Sequence, residues 1–389
     1  MKEGEGLAED KEDFVIDVVK EHTYQNQDEQ YYDAYSKWRN DESNPYSYSY
    51  VHDTREYSYV AGQGYKTDNP GDAEQHTLKK CMNLLGLCMI VMLFFDALNY
   101  FVSYYIAGTE NNTVYNSQLD NITYDDSIVS VAIFTVLTIF KYMVPMLIFK
   151  VKTKVPDRVV LPDSKTPPMF KVNAIIIMLM IVVIGRISGF VLSKVIGLFG
   201  IDTVYMHTFT GSSMDIWFVS FMLNCLIIPI LCEVFFRGFV LQSLRQFGDG
   251  FAIVVSSIAC ALSFYDISYI LFALLCSSVL GIFTVRTGSL KTAIYMHIVS
   301  TGVYYVMAHI QLISRVGIYI ELLSYMFICA VAMVLYYRLN TTGGISFDLK
   351  PSSSQVSFRQ KMVAFVGENS VDIWFVLVLV LVILGLRRI

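Results

Sequence analysis

Two ionisable side chains set in apolar surroundings carry the chemistry of this sequence: Glu233, in Leu231-Cys232-Glu233-Val234-Phe235-Phe236-Arg237-Gly238, and His297, in Tyr295-Met296-His297. A carboxylate and an imidazole held within hydrogen-bond reach activate a water, directly or through a metal ion. Arg237 stands four residues after Glu233, so the two share a helix face and can pair. His297 lies six residues past Lys291, about 9 Å along a helix, and Glu233 lies about 6 Å from Arg237. With Lys291 and Arg237 near one boundary, both groups fall at similar depth. The plain alternative is a histidine satisfied in a core and a glutamate that does no more than partner Arg237.

Membrane helices must do the positioning. The chain has 389 residues, 54% hydrophobic and 16% charged, with a net charge of −5. These averages mix a polar N-terminal segment with a far more apolar remainder. From Cys81 onward, apolar stretches recur at about seventeen residues or more, the length an α-helix needs to cross a hydrocarbon core about 30 Å thick. Spans are predicted at 81–107, 127–149, 172–199, 214–236, 251–265, 267–285, 292–309, 317–337 and 370–386. The fold class is therefore all-α, a polytopic transmembrane bundle of about eight or nine spans, and its partner is the lipid bilayer.

Three regions follow: a polar, acidic, Tyr-rich tail over 1–78, a bundle over 79–340 with its core at about 172–310, and a polar loop plus final helix over 341–389. The tail is expected to be disordered, its tyrosines lying among Asp, Glu, Asn, Gln and Ser. Only 14–19 is amphipathic, enough for one frayed turn. The start of the chain lacks the basic and apolar runs of a cleavable signal. The 150–171 loop carries Lys150, Lys152, Lys154, Arg158, Lys165 and Lys171, whereas 108–126 and 200–213 carry no Lys or Arg, so the basic loop and the tail are assigned to the cytosol. Nine spans then leave the C-terminal Leu-Arg-Arg-Ile outside, against the same rule; either 251–285 does not cross twice or the last helix is an exception. Asn111-Asn112-Thr113 and Asn121-Ile122-Thr123 in the first outer loop match glycosylation acceptors. The seven cysteines sit in or beside apolar stretches as packing residues, and nothing points to nucleic acid.

Ionisable groups in hydrocarbon are costly, so those retained face a bundle interior as a site or a structural tie. Besides Glu233, Arg237 and His297 they are Asp96, Lys141, Arg186 and Lys194. A polar path lined by Asp96, Lys141, Arg186, Lys194 and Glu233 would suit a transporter or channel. No inverted hydropathy repeat accompanies them.

The order of features from Pro229 to Thr301 resembles the CAAX protease and bacteriocin-processing (Abi) family of intramembrane proteases, which includes type II CAAX prenyl endopeptidases. Glu233 matches the second of that family's paired glutamates, Phe236-Arg237-Gly238 its Phe-Arg-Gly, and His297, after Thr287-Gly288-Ser289-Leu290, its later histidine. Cys232 stands at the first glutamate, Cys260 and Phe264 at the Phe and His of the second signature, and Thr301 at the final asparagine.

The resemblance implies a cavity within the membrane where the first glutamate and two histidines surround a water or metal. Here phenylalanine can neither ligate nor share a proton, and a catalytic zinc needs three protein ligands. The resulting expectation is a divergent member with weakened or lost peptidase activity that binds a membrane peptide, a lipidated peptide or a partner protein. In it Glu233 and His297 are the residual catalytic candidates, and Arg237, Thr301 and Phe264 are structural. No metal or cofactor is expected; zinc or another divalent metal enters only with retained activity. The enzyme alternative is a CAAX-type intramembrane endopeptidase with altered ligands, or a cysteine-type variant in which Cys232 and His297 pair.

Overall fold

A computed structural model of the chain describes residues 27–41, 43–48, 57–60, 64–67, 70–106, 128–202, 218–219, 221–265, 267–313, 316–341, 354, 356–385 and 387–388. The amphipathic run at 14–19 and the acceptor sites at Asn111 and Asn121 lie outside the described residues. Among those described are twelve helices: α1 Glu29–Arg39, α2 Pro70–Ile106, α3 Ile128–Thr153, α4 Asp157–Val160, α5 Pro168–Gly197, α6 Leu223–Phe247, α7 Asp249–Leu262, α8 Ile267–Thr287, α9 Leu290–Ile313, α10 Gly317–Thr341, α11 Phe358–Val366 and α12 Asn369–Gly385. Two small antiparallel ribbons accompany them, β1 Tyr57–Val60 with β2 Gly64–Thr67, and β3 Ile201–Asp202 with β4 Arg387–Arg388. The fold is the expected all-α polytopic bundle.

Among the described residues, six helices are long and apolar enough to cross a membrane, those of α2, α3, α5, α6, α8 and α10; α11 and α12, bent by 68° at their junction, add a seventh if counted as one span. This is fewer than the eight or nine expected. The 251–265 region is α7, with only 14 residues, about 21 Å of helix against a core about 30 Å thick. The span expected at 292–309 lies in α9, whose first half carries Lys291, His297, Ser300 and Thr301 and does not reach the same apolarity. Leu323, Met326 and Phe327 of α10 are exposed, a face suited to lipid.

Contacts order the bundle between two ends. At the basic end the 154–167 segment meets the α8–α9 junction: Leu290 N donates to Pro162 O at 2.9 Å, Ser164 N to Gly288 O at 3.0 Å, and Lys291 pairs with Asp163 at 2.5 Å. Lys361 of α11 donates to Phe247 O at the finish of α6, and Ser370 of α12 bonds Asn83 near the start of α2. At the opposite end β3, just after α5, pairs with β4, Ile201 opposite Arg388. The α7–α8 pair therefore leaves and returns to the basic end, and the C-terminus lies at the other. Residues 387–388 therefore lie at the end opposite the basic loop.

Part of the tail is ordered, which corrects the expectation of disorder through residue 78. Asp28 caps α1, its side chain accepting from Tyr31 N at 2.9 Å, with Glu29 in the first turn and Lys37 and Arg39 in the last, as the helix dipole favours. Tyr31, Tyr35 and Trp38 form one buried stripe against the basic end. Tyr31 Oη donates to Gln242 Oε1 at 2.8 Å and accepts from Arg245 Nη1 at 3.2 Å, while Trp38 Nε1 donates to Thr153 O at 2.8 Å. Further along, Tyr48 N donates to Gln246 Oε1 at 2.8 Å, and Gln246 Nε2 donates to Tyr46 O at 2.9 Å. The strap thus lies on the last turns of α6. Residues 70–78 likewise belong to α2 rather than to the tail.

Candidate functional site

α6 is irregular where it matters. Wide π-helical turns at Leu223–Ile227 and Val234–Val240 bracket an α-helical step, Ile228–Glu233, and a 3₁₀ turn at Arg245–Phe247 ends the helix. Pro229 removes an N–H from the ladder beside the first wide turn. The second starts immediately after Glu233, the kind of local widening that re-aims side chains at functional sites. Gly238 lets the short helix α4 approach closely: a Cβ there would meet Val160 O at 2.8 Å.

One carboxylate oxygen organises the centre. Glu233 Oε1 lies 3.1 Å from Arg237 Nη1 on the same helix and 2.8 Å from His297 Nδ1 of α9. The Glu233 and Arg237 side chains are 0% and 1% exposed, that of His297 19%. Arg237 Nη2 donates to Ser277 O at 3.0 Å and to Ser277 Oγ at 2.6 Å, which ties the pair to α8. Glu233 Oε2 and Arg237 Nε are buried and find no hydrogen-bond partner among the described residues.

Next to this pair, Cys232 Sγ lies 3.8 Å from Cys260 Sγ of α7, and Arg237 Nη1 lies 3.6 Å from Cys260 Sγ. Donor atoms of Cys232, Glu233 and His297 all fall within 4.8 Å of one another. They adjoin a cavity of about 80 Å³ whose walls include Cys232, Arg237, Cys260, Phe264, His297 and Thr301. That space suits a few waters or one side chain.

Every site residue picked from the sequence gathers at this place. Glu233, Arg237, His297 and Cys232 converge, and Phe264 and Thr301 line the cavity. Thr301 Oγ1 donates to His297 O at 2.6 Å, turned to its own helix. His297 Nδ1 is engaged by Glu233, and the sulfur of Cys232 faces Cys260 instead of forming a close pair with the imidazole. Sequence reasoning did not assign Cys260 or Ser277 to the site. The one signal for Cys260 was its place four residues before Phe264, a signature position; Ser277 carries none.

The remaining polar residues of the spans form separate ties. Lys141 Nζ lies 2.8 Å from Asp96 Oδ2, which also accepts from Tyr265 Oη at 3.1 Å. Arg186 pairs with Glu321 at 2.7 Å and stacks over the Tyr304 ring, its carbon 4.6 Å from the centroid, whereas Lys194 is exposed. None of Asp96, Lys141, Arg186 and Lys194 is among the cavity walls.

Comparison with curated proteins and with solved structures finds no match. Comparison with protein families does: residues 214–303, which run through α6, α7, α8 and the first half of α9, match the model described as Rce1-like, type II CAAX prenyl endopeptidase Rce1-like. The matched stretch holds Cys232, Glu233, Arg237, Cys260, Ser277 and His297, the whole of the polar centre. The segment that builds the site thus matches a model of the family that the motif order from Pro229 to Thr301 resembles.

Proposed function

We propose that this protein is a degenerate intramembrane protease-type protein, without peptidase activity, whose cavity binds a membrane peptide, a lipidated peptide or a partner protein. The observation that carries this reading is the double engagement of Glu233 Oε1: Arg237 and His297 both bond it, so the surviving carboxylate serves as a structural tie. The first-glutamate position is a thiol facing another thiol, and the second-signature histidine position is Phe264 in the cavity wall. Basic residues at one end assign that end, with the docked tail, to the cytosol.

A retained endopeptidase activity with altered ligands draws support from a different observation, the convergence of Cys232, Glu233 and His297 within 4.8 Å. A transporter or channel has less behind it, because Asp96 pairs with Lys141 and Arg186 with Glu321.

One experiment separates them. Full-length protein in nanodiscs is mixed with prenylated and transmembrane peptides that carry a photo-crosslinker and a cleavage reporter. The expected result is crosslinking to α6 or α9 with no cleavage. Cleavage that disappears in Glu233→Gln or His297→Ala would replace the proposal with the endopeptidase, and failure of every peptide to crosslink would remove peptide binding.

A further inference from the structure

Cys232 and Cys260 come from different helices, α6 and α7, and both line the cavity. Their sulfurs are 3.8 Å apart. A disulfide requires about 2.05 Å. The observed distance is instead the edge of a tetrahedral thiolate site: two sulfurs each about 2.3 Å from a zinc ion lie about 3.8 Å apart. Cys232, Glu233 and His297 already bring their donor atoms within 4.8 Å of one another. Independently, Glu233 Oε2 is buried without a hydrogen-bond partner among the described residues, an arrangement a low-dielectric interior disfavours unless something fills it.

We propose that Cys232, Cys260, His297 and Glu233 form a site for one thiophilic divalent cation, zinc in its commonest form. The proposal goes beyond peptide binding and does not rest on it.

The surroundings are those of a metal site as well. Arg237, fixed by Ser277, directs Nη1 toward Cys260 Sγ at 3.6 Å, the outer hydrogen bond that orients a ligand. Among Cys232, Glu233 and His297 the donor spread of up to 4.8 Å is about 1 Å wider than in a filled tetrahedral site, so the imidazole of His297, the most exposed of them, has to swing inward, while Cys260 joins the set through its 3.8 Å approach to Cys232. Four protein ligands leave no open position. The ion would lock α6, α7 and α9 together and would not activate water. A hydrolytic ion held by Glu233 and His297 would have no need of Cys260, so the two kinds of site are distinguishable.

Full-length protein, purified under reducing conditions, is loaded with Co²⁺ and titrated with Zn²⁺. The expected result is one ion per chain, thiolate-to-cobalt charge-transfer absorption in the near ultraviolet, tetrahedral bands in the visible, and loss of both on adding zinc. Cys232→Ser and Cys260→Ser each reduce the charge-transfer intensity. They also weaken zinc binding by at least the roughly 10–100-fold that loss of an outer partner costs. Cys276→Ser, a cavity thiol outside the cluster, changes neither. The wild-type spectrum is decisive even if a variant fails to fold. Folded wild-type protein that takes up no stoichiometric metal, a cobalt spectrum without the sulfur band, an unchanged spectrum in Cys260→Ser, or a Cys232–Cys260 disulfide in freshly alkylated protein each overturns the proposal.

Discussion

Glu233 Oε1 and His297 Nδ1 lie 2.8 Å apart across the α6–α9 interface, and the same oxygen is 3.1 Å from Arg237 Nη1. One buried atom therefore joins two helices and an ion pair. Removing one member of a buried pair strands the other, at a cost of about 3–5 kcal/mol. Glu233→Gln is expected to lose about that much stability, and Glu233→Gln with Arg237→Met to regain part of it, because no uncompensated charge is left. Denaturant unfolding in detergent measures both. A Glu233→Gln variant as stable as wild type would mean that the pair is not the tie described.

Gly238 offers a test of how α4 is seated. A Cβ at this position meets Val160 O at 2.8 Å and Val160 Cγ1 at 3.1 Å, and a backbone carbonyl cannot rotate away as a side chain can. Gly238→Ala is expected to cost about 1–3 kcal/mol, as overpacking does. It should also loosen the 154–167 segment, read as faster hydrogen exchange at Val159 and Val160. Unchanged exchange there would rule out the close approach as a constraint.

The meeting of Glu233, Arg237 and His297 is legible in the sequence for a physical reason. Helical spacing fixes the pair, and a fixed rise per residue from charged boundaries fixes depth. Depth does not say which helices are neighbours, so the approach of Cys260 to Cys232, 28 residues away on another helix, follows from no local rule. The docking of the tail was hidden differently. Tyr31, Tyr35 and Trp38 stand at the i, i+4, i+7 spacing of a buried helix face, but the polar residues between them pull average composition toward that of a disordered segment. The short α7 and the mixed α9 resemble spans in sequence because an apolar stretch alone shows neither the length nor the polarity of the helix that holds it.

Tyr31 gives the docked strap a pH signature. Burial raises its phenol from the ordinary 10.0 to about 12. The folded value lies above the unfolded one, so its contribution is fully present below about pH 10 and is lost as pH rises toward 12. Docking of α1 is expected to weaken across that window, by at most about 1.4 kcal/mol per pH unit. Tyr31→Phe should remove this dependence and cost about 1 kcal/mol at neutral pH through the lost hydrogen bonds. Limited proteolysis of residues 27–48 against pH reads both effects. A cleavage rate that rises equally in wild type and Tyr31→Phe would assign the change to another group.

Backbone pairing of Ile201 with Arg388 puts the C-terminus beside the segment that follows α5, opposite the basic loop. Charge alone would place Arg387 and Arg388 on the basic side. The ribbon and the chain path through α12, which starts beside Asn83, oppose that preference. The prediction uses membrane-impermeant maleimide on sealed vesicles, where the buried native cysteines give little background: six of the seven are buried. Leu198→Cys, at a position 85% exposed near the end of α5, and a cysteine appended after Ile389 are expected to label from one side. Lys152→Cys in the basic loop should label only from the other. If the appended cysteine labels together with Lys152→Cys, the ribbon does not form in the membrane. α11 and α12, bent by 68° at their junction, would then be a re-entrant hairpin rather than the end of the last span.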